Sequence, residues 1–231
     1  MHFSIDKYHF TANQVINQLL ELHCGGEAGI IVKIEEKKGK IIYREGSYSL
    51  GVYILLKGKI KIYQTNKEGK EQIVYIYRAG DIMGYRPLLC SEPHPVSAAT
   101  LEDTELSFIP RDHFMHLLEE LPVLSRLLLT NLSHEFTVWI NKLTVFGQQA
   151  VRERLALSLL ILREKYKEND APDAPVEIDL SREDLANYAG TTVETLVRML
   201  RNFKNEGLIN SKGRKISVFN IQQLERMADF S

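Results

Sequence analysis

Apolar and polar positions change their period twice along this chain. From Ile30 to Ile109 they alternate with period two, in the runs GIIVKIEE, KIIYREG, GVYILLKG, KIKIYQT, EQIVYIYRAG and LSFIPR. Gly39, Gly46, Gly58, Gly69 and Gly80 punctuate these runs about every 10 residues, as in an all-β barrel or sandwich. The stretch Asn66-Lys67-Glu68-Gly69 has the form of a hairpin loop with Gly69 at a position that needs positive φ. From Gly80 to Leu101 the alternation lapses. Pro87, Pro93 and Pro95 fall there, which predicts a structured insertion between strands, read either as a connector or as a pocket offering backbone N–H groups to an anion. Ahead of the strands, Val15 to His23 predicts a short amphipathic helix stopped at Gly25-Gly26, with Cys24 as a half-buried apolar side chain.

Beyond Ile109 the period becomes helical. A short helix is expected from Pro110 to Glu120, then a long one from Val123 to about Gln148. Leu129, Leu132, Phe136, Trp139, Leu143 and Phe146 are spaced 3, 4, 3, 4, 3 on it, the a/d seam of a helix that packs against its own copy. A second amphipathic helix, Val151 to Lys165, turns Leu155, Leu159 and Leu162 inward. The acidic, proline-containing stretch KENDAPDAPVE then reads as a surface loop.

The clearest periodicity runs from Ser181 to Ile209, where two short helices join through a turn at Gly190. On the second, Leu196, Met199, Leu200 and Phe203 make one stripe, while Glu194, Val197, Arg198 and Arg201 occupy the opposite face. Ser181-x-x-Asp184 and Thr191-x-x-Glu194 each have the form of a capping box and mark two helix starts. A helix whose outer face holds a Glu and two Arg, with a partner helix before it, suits a DNA major groove. From Ile209 to Asn220 a hairpin with Lys212-Gly213-Arg214 at its tip follows, a basic wing able to reach phosphates, and a short helix closes the chain.

Composition narrows this further. With 231 residues, 44% hydrophobic and 26% charged, the chain is an ordinary globular protein of one large or two modest domains. Its net charge of −1 excludes a generally basic polyanion binder, so any DNA-binding charge must be local. From Thr191 to Ile216 six basic residues (Arg198, Arg201, Lys204, Lys212, Arg214, Lys215) stand against Glu194 and Glu206, a local excess of +4. Two cysteines, Cys24 and Cys90, form no CxxC pair, which excludes a disulfide framework and a cysteine-ligated zinc or four-cysteine cluster. No secretory leader pattern and no long apolar run is present, so a cytoplasmic protein with no membrane partner is expected. No P-loop, HExxH or GxSxG motif occurs, so no enzyme activity is expected.

A glycine-punctuated β-roll, a long dimerising helix and a C-terminal winged helix-turn-helix together resemble the Crp/Fnr family of bacterial transcription regulators. The resemblance spans about Ile30 to Asn220 and is carried by IIYREGSYSLGVYILLKGKIKIY, NKEGKEQIVYIYRAGDIMG and SREDLANYAGTTVETLVRMLRNFKNEGLI. It implies an α+β chain of two domains. Residues 1–148 would form a jelly-roll, cyclic-nucleotide-binding-like sensor with the dimerisation helix, and residues 149–231 a winged helix-turn-helix. The expected function is a homodimer that binds double-stranded DNA at a near-palindromic site and answers to an unidentified small-molecule effector. Thr192, Val193, Glu194, Val197, Arg198 and Arg201 would face the groove, with Lys212 and Arg214 on the wing. The resemblance makes Arg198 and Glu194 the base-contacting pair, Arg198 toward guanine; Glu194 keeps its second reading as a capping residue. TVET-x-x-R is closer to the fumarate–nitrate regulator branch than to the cyclic-AMP receptor branch. Val193 stands where the latter has an arginine, and Val197 where the oxygen-sensing branch has a serine.

The sensor half departs from its relatives. Cyclic-AMP receptors bind ribose and phosphate through a Glu and an Arg; Tyr85 and Val96 align there, while Gly84 and Ser97 are kept. Trp139 and Ile140 replace the adenine-reading polar pair. Without the arginine clamp, cyclic AMP is not the expected effector. The effector site is assigned to Gly84, Tyr85, Arg86, Ser97 and Trp139, with Arg86 either a relocated anion clamp or an exposed loop residue. The missing N-terminal cysteine cluster argues against an iron–sulfur cofactor. Haem is not expected, since none of His94, His113, His116 or Cys90 stands out and a lone His is most often a surface residue. The acidic loop from Lys167 to Glu177 lies where family members contact RNA polymerase, which makes polymerase an expected partner. The competing reading is a ligand-binding regulatory module that acts through protein contacts alone; the basic wing and the Arg198/Arg201 face argue against it.

Overall fold

The computed structural model describes residues 4–10, 12–25, 29–167 and 176–228. The chain divides into two units, Thr11–Glu135 and a second made of Met1–Phe10 with Phe136–Ser231.

In the first unit, Asn13 caps α1 (Gln14–Cys24) by accepting from the backbone N–H groups of Val15 and Ile16. Eight strands follow: β1 (Val32–Glu36), β2 (Ile41–Tyr43), β3 (Gly51–Lys57), β4 (Lys59–Thr65), β5 (Glu71–Arg78), β6 (Ile82–Met83), β7 (Ser97–Thr100) and β8 (Thr104–Pro110). They form two antiparallel four-stranded sheets, ordered β1-β8-β3-β6 and β2-β7-β4-β5. The β4–β5 hairpin turns where expected, with Gly69 at φ 80° and Asn66 Oδ1 accepting from the N–H groups of Glu68 and Lys70. The interrupted stretch after Gly80 is indeed structured. It holds β6, the six-residue α2 (Tyr85–Cys90) and β7, elements too short for periodicity to announce. A helix α3 (Arg111–Glu120) leads into α4 (Pro122–Gln148). The unit's core joins Ile16, Leu20 and Cys24 of α1 to Val52 and Ile54 of β3, Tyr85 and Leu88 of α2, Phe114 and Leu117 of α3, and Leu124 and Leu128 of α4. Cys24 is therefore fully buried rather than half-buried, and burial raises its thiol pKa.

Two heptad seams run along α4, not one. The inner seam, Leu124, Leu128, Asn131, Glu135, Val138, Lys142 and Val145, is buried although three of its members are polar. The outer seam is the predicted one. Leu129, Phe136 and Leu143 are exposed with Ile140 beside them, whereas Leu132, Trp139 and Phe146 are half-buried within their own chain.

In the second unit, α5 (Val151–Tyr166) is enclosed on all sides from Leu155 to Arg163, a correction to the expected amphipathic stripe. Around it stand β9 (Glu177–Asp179), α6 (Arg182–Ala189), α7 (Val193–Asn205), β10 (Ile209–Lys212), β11 (Lys215–Val218) and α8 (Ile221–Ala228). The hairpin β10–β11 is extended by β9 into a three-stranded sheet, a strand the sequence pattern hid. The first residues also belong here: Phe10 O accepts from Lys165 Nζ at 3.2 Å, and Lys7 O from Asn141 Nδ2 at 2.8 Å. Burial lowers the Lys142 pKa to about 7, with the Lys165 charge adding; its ammonium lies over the rings of Tyr188 (4.8 Å) and Trp139 (5.5 Å). The acidic loop falls mostly in residues 168–175, outside the described residues.

Candidate nucleic-acid interface and sensor interior

Helix α6 begins at Ser181, whose Oγ accepts from the Asp184 N–H at 2.9 Å, as the first capping box predicts. It ends at Gly190 in the left-handed region, φ 63°. The second cap differs from expectation. Thr192, not Thr191, caps α7, its Oγ1 accepting from the Thr195 N–H at 3.2 Å, while Thr191 is buried. Glu194 is thus not the reciprocal residue of a capping box. Its carboxyl is held below the usual range by the backbone N–H of Glu194 itself and by the Thr192 side chain.

The predicted inner stripe packs inward, with Leu196, Leu200 and Phe203 buried and Met199 half-buried. Thr192, Val193, Glu194, Val197, Arg198 and Arg201 are all exposed on the other side. Among the described residues, neither Arg198 nor Arg201 has a protein hydrogen-bond or ion-pair partner. Two arginines of α5, which sequence spacing did not single out, hold this face in place. Arg154 donates from Nη2 to Gly190 O (2.9 Å) and from Nε to Ala189 O (3.3 Å), clamping the turn between the helices. Arg152 pairs with Glu206 just past the end of α7 and stacks over Phe203.

The wing is braced similarly. Arg182 donates to Gly213 O at 2.6 Å and Arg214 O at 3.4 Å, and Lys215 pairs with Glu177 at 2.6 Å. Arg214, the wing's other predicted phosphate contact, is bonded through its Nε to Asp179 at 3.1 Å. Lys212 is exposed and has no partner among the described residues, so it remains the wing's available cation.

The sensor residues are less unified. Gly84 is left-handed at φ 85°, a conformation that favours glycine, and its carbonyl accepts from Ser49 Oγ at 3.1 Å; a Cβ there would also come within 3.1 Å of Gly51 O. Tyr85 is buried. Its hydroxyl donates to Glu135 Oε1 (2.8 Å) and accepts from Asn131 Nδ2 (3.0 Å), and that amide also donates to Glu135 Oε1 (2.8 Å). Burial raises the pKa of both the Tyr85 phenol and the Glu135 carboxyl, and the Glu135 charge raises the phenol further. Tyr77 of β5 is raised for the same reasons, burial first and then Glu135. Arg86 is exposed, and Ser97 is committed to the backbone, its Oγ accepting from Glu45 N at 3.0 Å. Trp139 belongs to the other unit. His94 is buried rather than superficial, stacked on Tyr43 at 3.8 Å, and burial lowers its pKa to about 4. Asn131 and Glu135 were missed, and the overlooked signal is their place in the second heptad seam of α4.

Residues 33–120 match the family model of the cyclic nucleotide-binding domain, and residues 153–227 that of the Crp-like helix-turn-helix domain. The transcriptional activator protein Anr of Pseudomonas aeruginosa is 28% identical over 192 residues, which span 83% of this chain and 78% of that protein. The fumarate and nitrate reduction regulatory protein of Vibrio cholerae is 27% identical over 195 residues, 84% of this chain and 78% of that protein. Among solved structures, FixK2 from Bradyrhizobium japonicum shares the fold with a TM-score of 0.78 at 22% identity, over 87% of this chain and 99% of that one.

Proposed function

The chain belongs to the Crp/Fnr family of transcription regulators, and from that membership we propose how its parts divide the work. It is a DNA-binding regulator, and α7 is the helix that enters the major groove. The observation that carries this is the exposed face of α7, where Arg198 and Arg201 have no partner among the described residues while the opposite face is buried. Arg198 reads a base edge, Glu194 lies beside it one turn earlier, and Thr192, Val193 and Val197 line the same surface. Arg201 and Lys212 serve phosphates, and Arg214 does so less because of its bond to Asp179.

Residues 1–148 act as the sensor and dimerisation part and residues 149–231 as the DNA-binding part. Leu129, Phe136 and Leu143, with Leu132, Trp139 and Phe146 along their margin, join two copies of α4, so the homodimer binds a near-palindromic site. RNA polymerase is the protein partner this reading implies. Among the described residues no helix is long and apolar enough to cross a membrane, in keeping with a protein that works where the chromosome is. Cyclic AMP does not suit the sensor: a buried carboxyl, Glu135, stands beside Tyr85, and the cation whose charge acts on it, Arg86, is exposed.

Selection of duplexes from a random pool tests the assignment of Arg198. Arg198→Ala is expected to lose discrimination at one base pair per half-site, about 1–3 kcal/mol, while keeping salt-dependent non-specific affinity. Unchanged preference in that variant would exclude Arg198 as the reader.

A further inference from the structure

The second half of α4, from Phe136 onward, lies in the same compact unit as α5, α6 and α7. The covalent link between α4 and the other helices is weakly specified. α4 ends at Gln148 and α5 begins at Val151, with Ala150 as an N-cap that makes no side-chain hydrogen bond. Gly147 sits in the last turn of α4, with open space where a Cβ would stand. Alanine is a poor N-cap and glycine a poor helix former, so local sequence leaves the angle between the two helices loose.

Arg154 supplies what is missing there. Its Nη1 donates to Gln149 O at the junction (3.1 Å), its Nη2 to Gly190 O (2.9 Å) and its Nε to Ala189 O (3.3 Å). The face of the same guanidinium lies over the ring of Phe146, 5.8 Å from its centroid. Phe146 closes the outer seam of α4, and Gly190 stands two residues before Thr192, the cap of α7. One planar fork therefore joins the seam, the helix junction and the turn that launches α7. A second tie runs from α4 to α6, where the Lys142 ammonium lies 4.8 Å above the Tyr188 ring.

The geometry points to Arg154 as a positioning residue that fixes the angle between the dimer seam and α7. In a homodimer that angle sets the spacing between the two half-sites. This rests on the reading of the chain as a dimeric DNA-binding regulator. A charge-assisted hydrogen bond is worth roughly tenfold in an equilibrium constant, so one lost in each copy amounts to about 100-fold in the dimer.

The test uses full-length protein, the inverted repeat that the wild type selects from a random pool, and the same duplex with one base pair inserted between the half-sites. The wild type should prefer the selected spacing by about 100-fold. Arg154→Ala should lower that preference to less than about tenfold, while still discriminating matched from mismatched bases within each half-site. Ser181→Ala, which loosens the start of α6 and leaves the fork intact, should keep the full spacing preference. Arg154→Lys decides the matter if Arg154→Ala does not fold, since one ammonium cannot bridge the junction and the turn and should relax the spacing too. The assignment is overturned by a wild type that tolerates the insertion, by Arg154 variants as strict as the wild type, or by equal relaxation in Ser181→Ala. Loss of base discrimination together with spacing, or failure of both Arg154 variants to fold, would likewise overturn it by placing Arg154 in the fold alone. A wild type that selects no repeated site would instead refute the dimeric reading, which is a distinguishable outcome.

Discussion

Leu143→Ala separates an outward seam that serves a second copy from one that is merely exposed. Leu143 is 75% exposed, so its truncation removes little packing within one chain. The effect on the fold should stay within about 0.5 kcal/mol, as for surface positions generally. In the proposed two-fold dimer the same residue would be buried against the partner helix. Three carbons at about 0.8 kcal/mol each, scaled by the exposed fraction, correspond to roughly 1.8 kcal/mol per copy. The two-fold axis doubles this to about 3.6 kcal/mol, or roughly 400-fold in the dimer dissociation constant. Sedimentation equilibrium over a range of protein concentrations reads that constant, and a thermal melt reads the fold. A variant with an unchanged dimer constant would refute the seam. A fall in melting temperature that persists at concentrations where both proteins are monomeric would place the loss in the fold and not in the seam.

Three further outcomes follow from contacts described above. Arg182→Ala frees the wing tip at Gly213 and Arg214, so it should weaken DNA binding severalfold across all sequences while leaving base preference intact, as binding titrations on matched and mismatched duplexes would show. Ser181→Ala removes the cap of α6 and should cost about 1 kcal/mol of stability, measured by denaturant melts. Lys142 has a folded pKa depressed to about 7, so its contribution to stability is present above the ordinary lysine pKa and is lost as pH falls through about 7. Lys142→Met should therefore raise the melting temperature more at pH 6 than at pH 9; an equal change at both would show that burial of its charge is not a cost.

Much of this architecture was legible because long amphipathic patterns leave little choice. The β4–β5 hairpin with Gly69, the α6 cap at Ser181 and the inner stripe of α7 stand where alternation and capping chemistry place them. What escaped notice did so for physical reasons. Strands of two to four residues, such as Ile82–Met83, Ser97–Thr100 and Glu177–Asp179, are too short to show a period. Adjacent threonines at 191 and 192 both offer a cap, and only backbone geometry decides for Thr192. The inner seam of α4 was hidden by its polar members, since Asn131, Glu135 and Lys142 count as surface residues unless the partners that satisfy them are known. Those partners, Tyr85 for Glu135 and the Tyr188 ring for Lys142, lie 46 or more residues away in the chain. The partners of the residues assigned to an effector site are as distant: Tyr85 donates to Glu135, and Ser97 accepts from the Glu45 N–H.

In the proposed homodimer, two copies of α7 read successive major grooves on one side of the duplex. Sequencing duplexes selected by the full-length protein, then footprinting the winner, tests it most directly. The expected winner is an inverted repeat whose half-site centres lie about 10–10.5 base pairs apart, protected symmetrically, with Arg198→Ala relaxing the same position in both halves. A single unrepeated site, or enrichment without sequence preference, would contradict it.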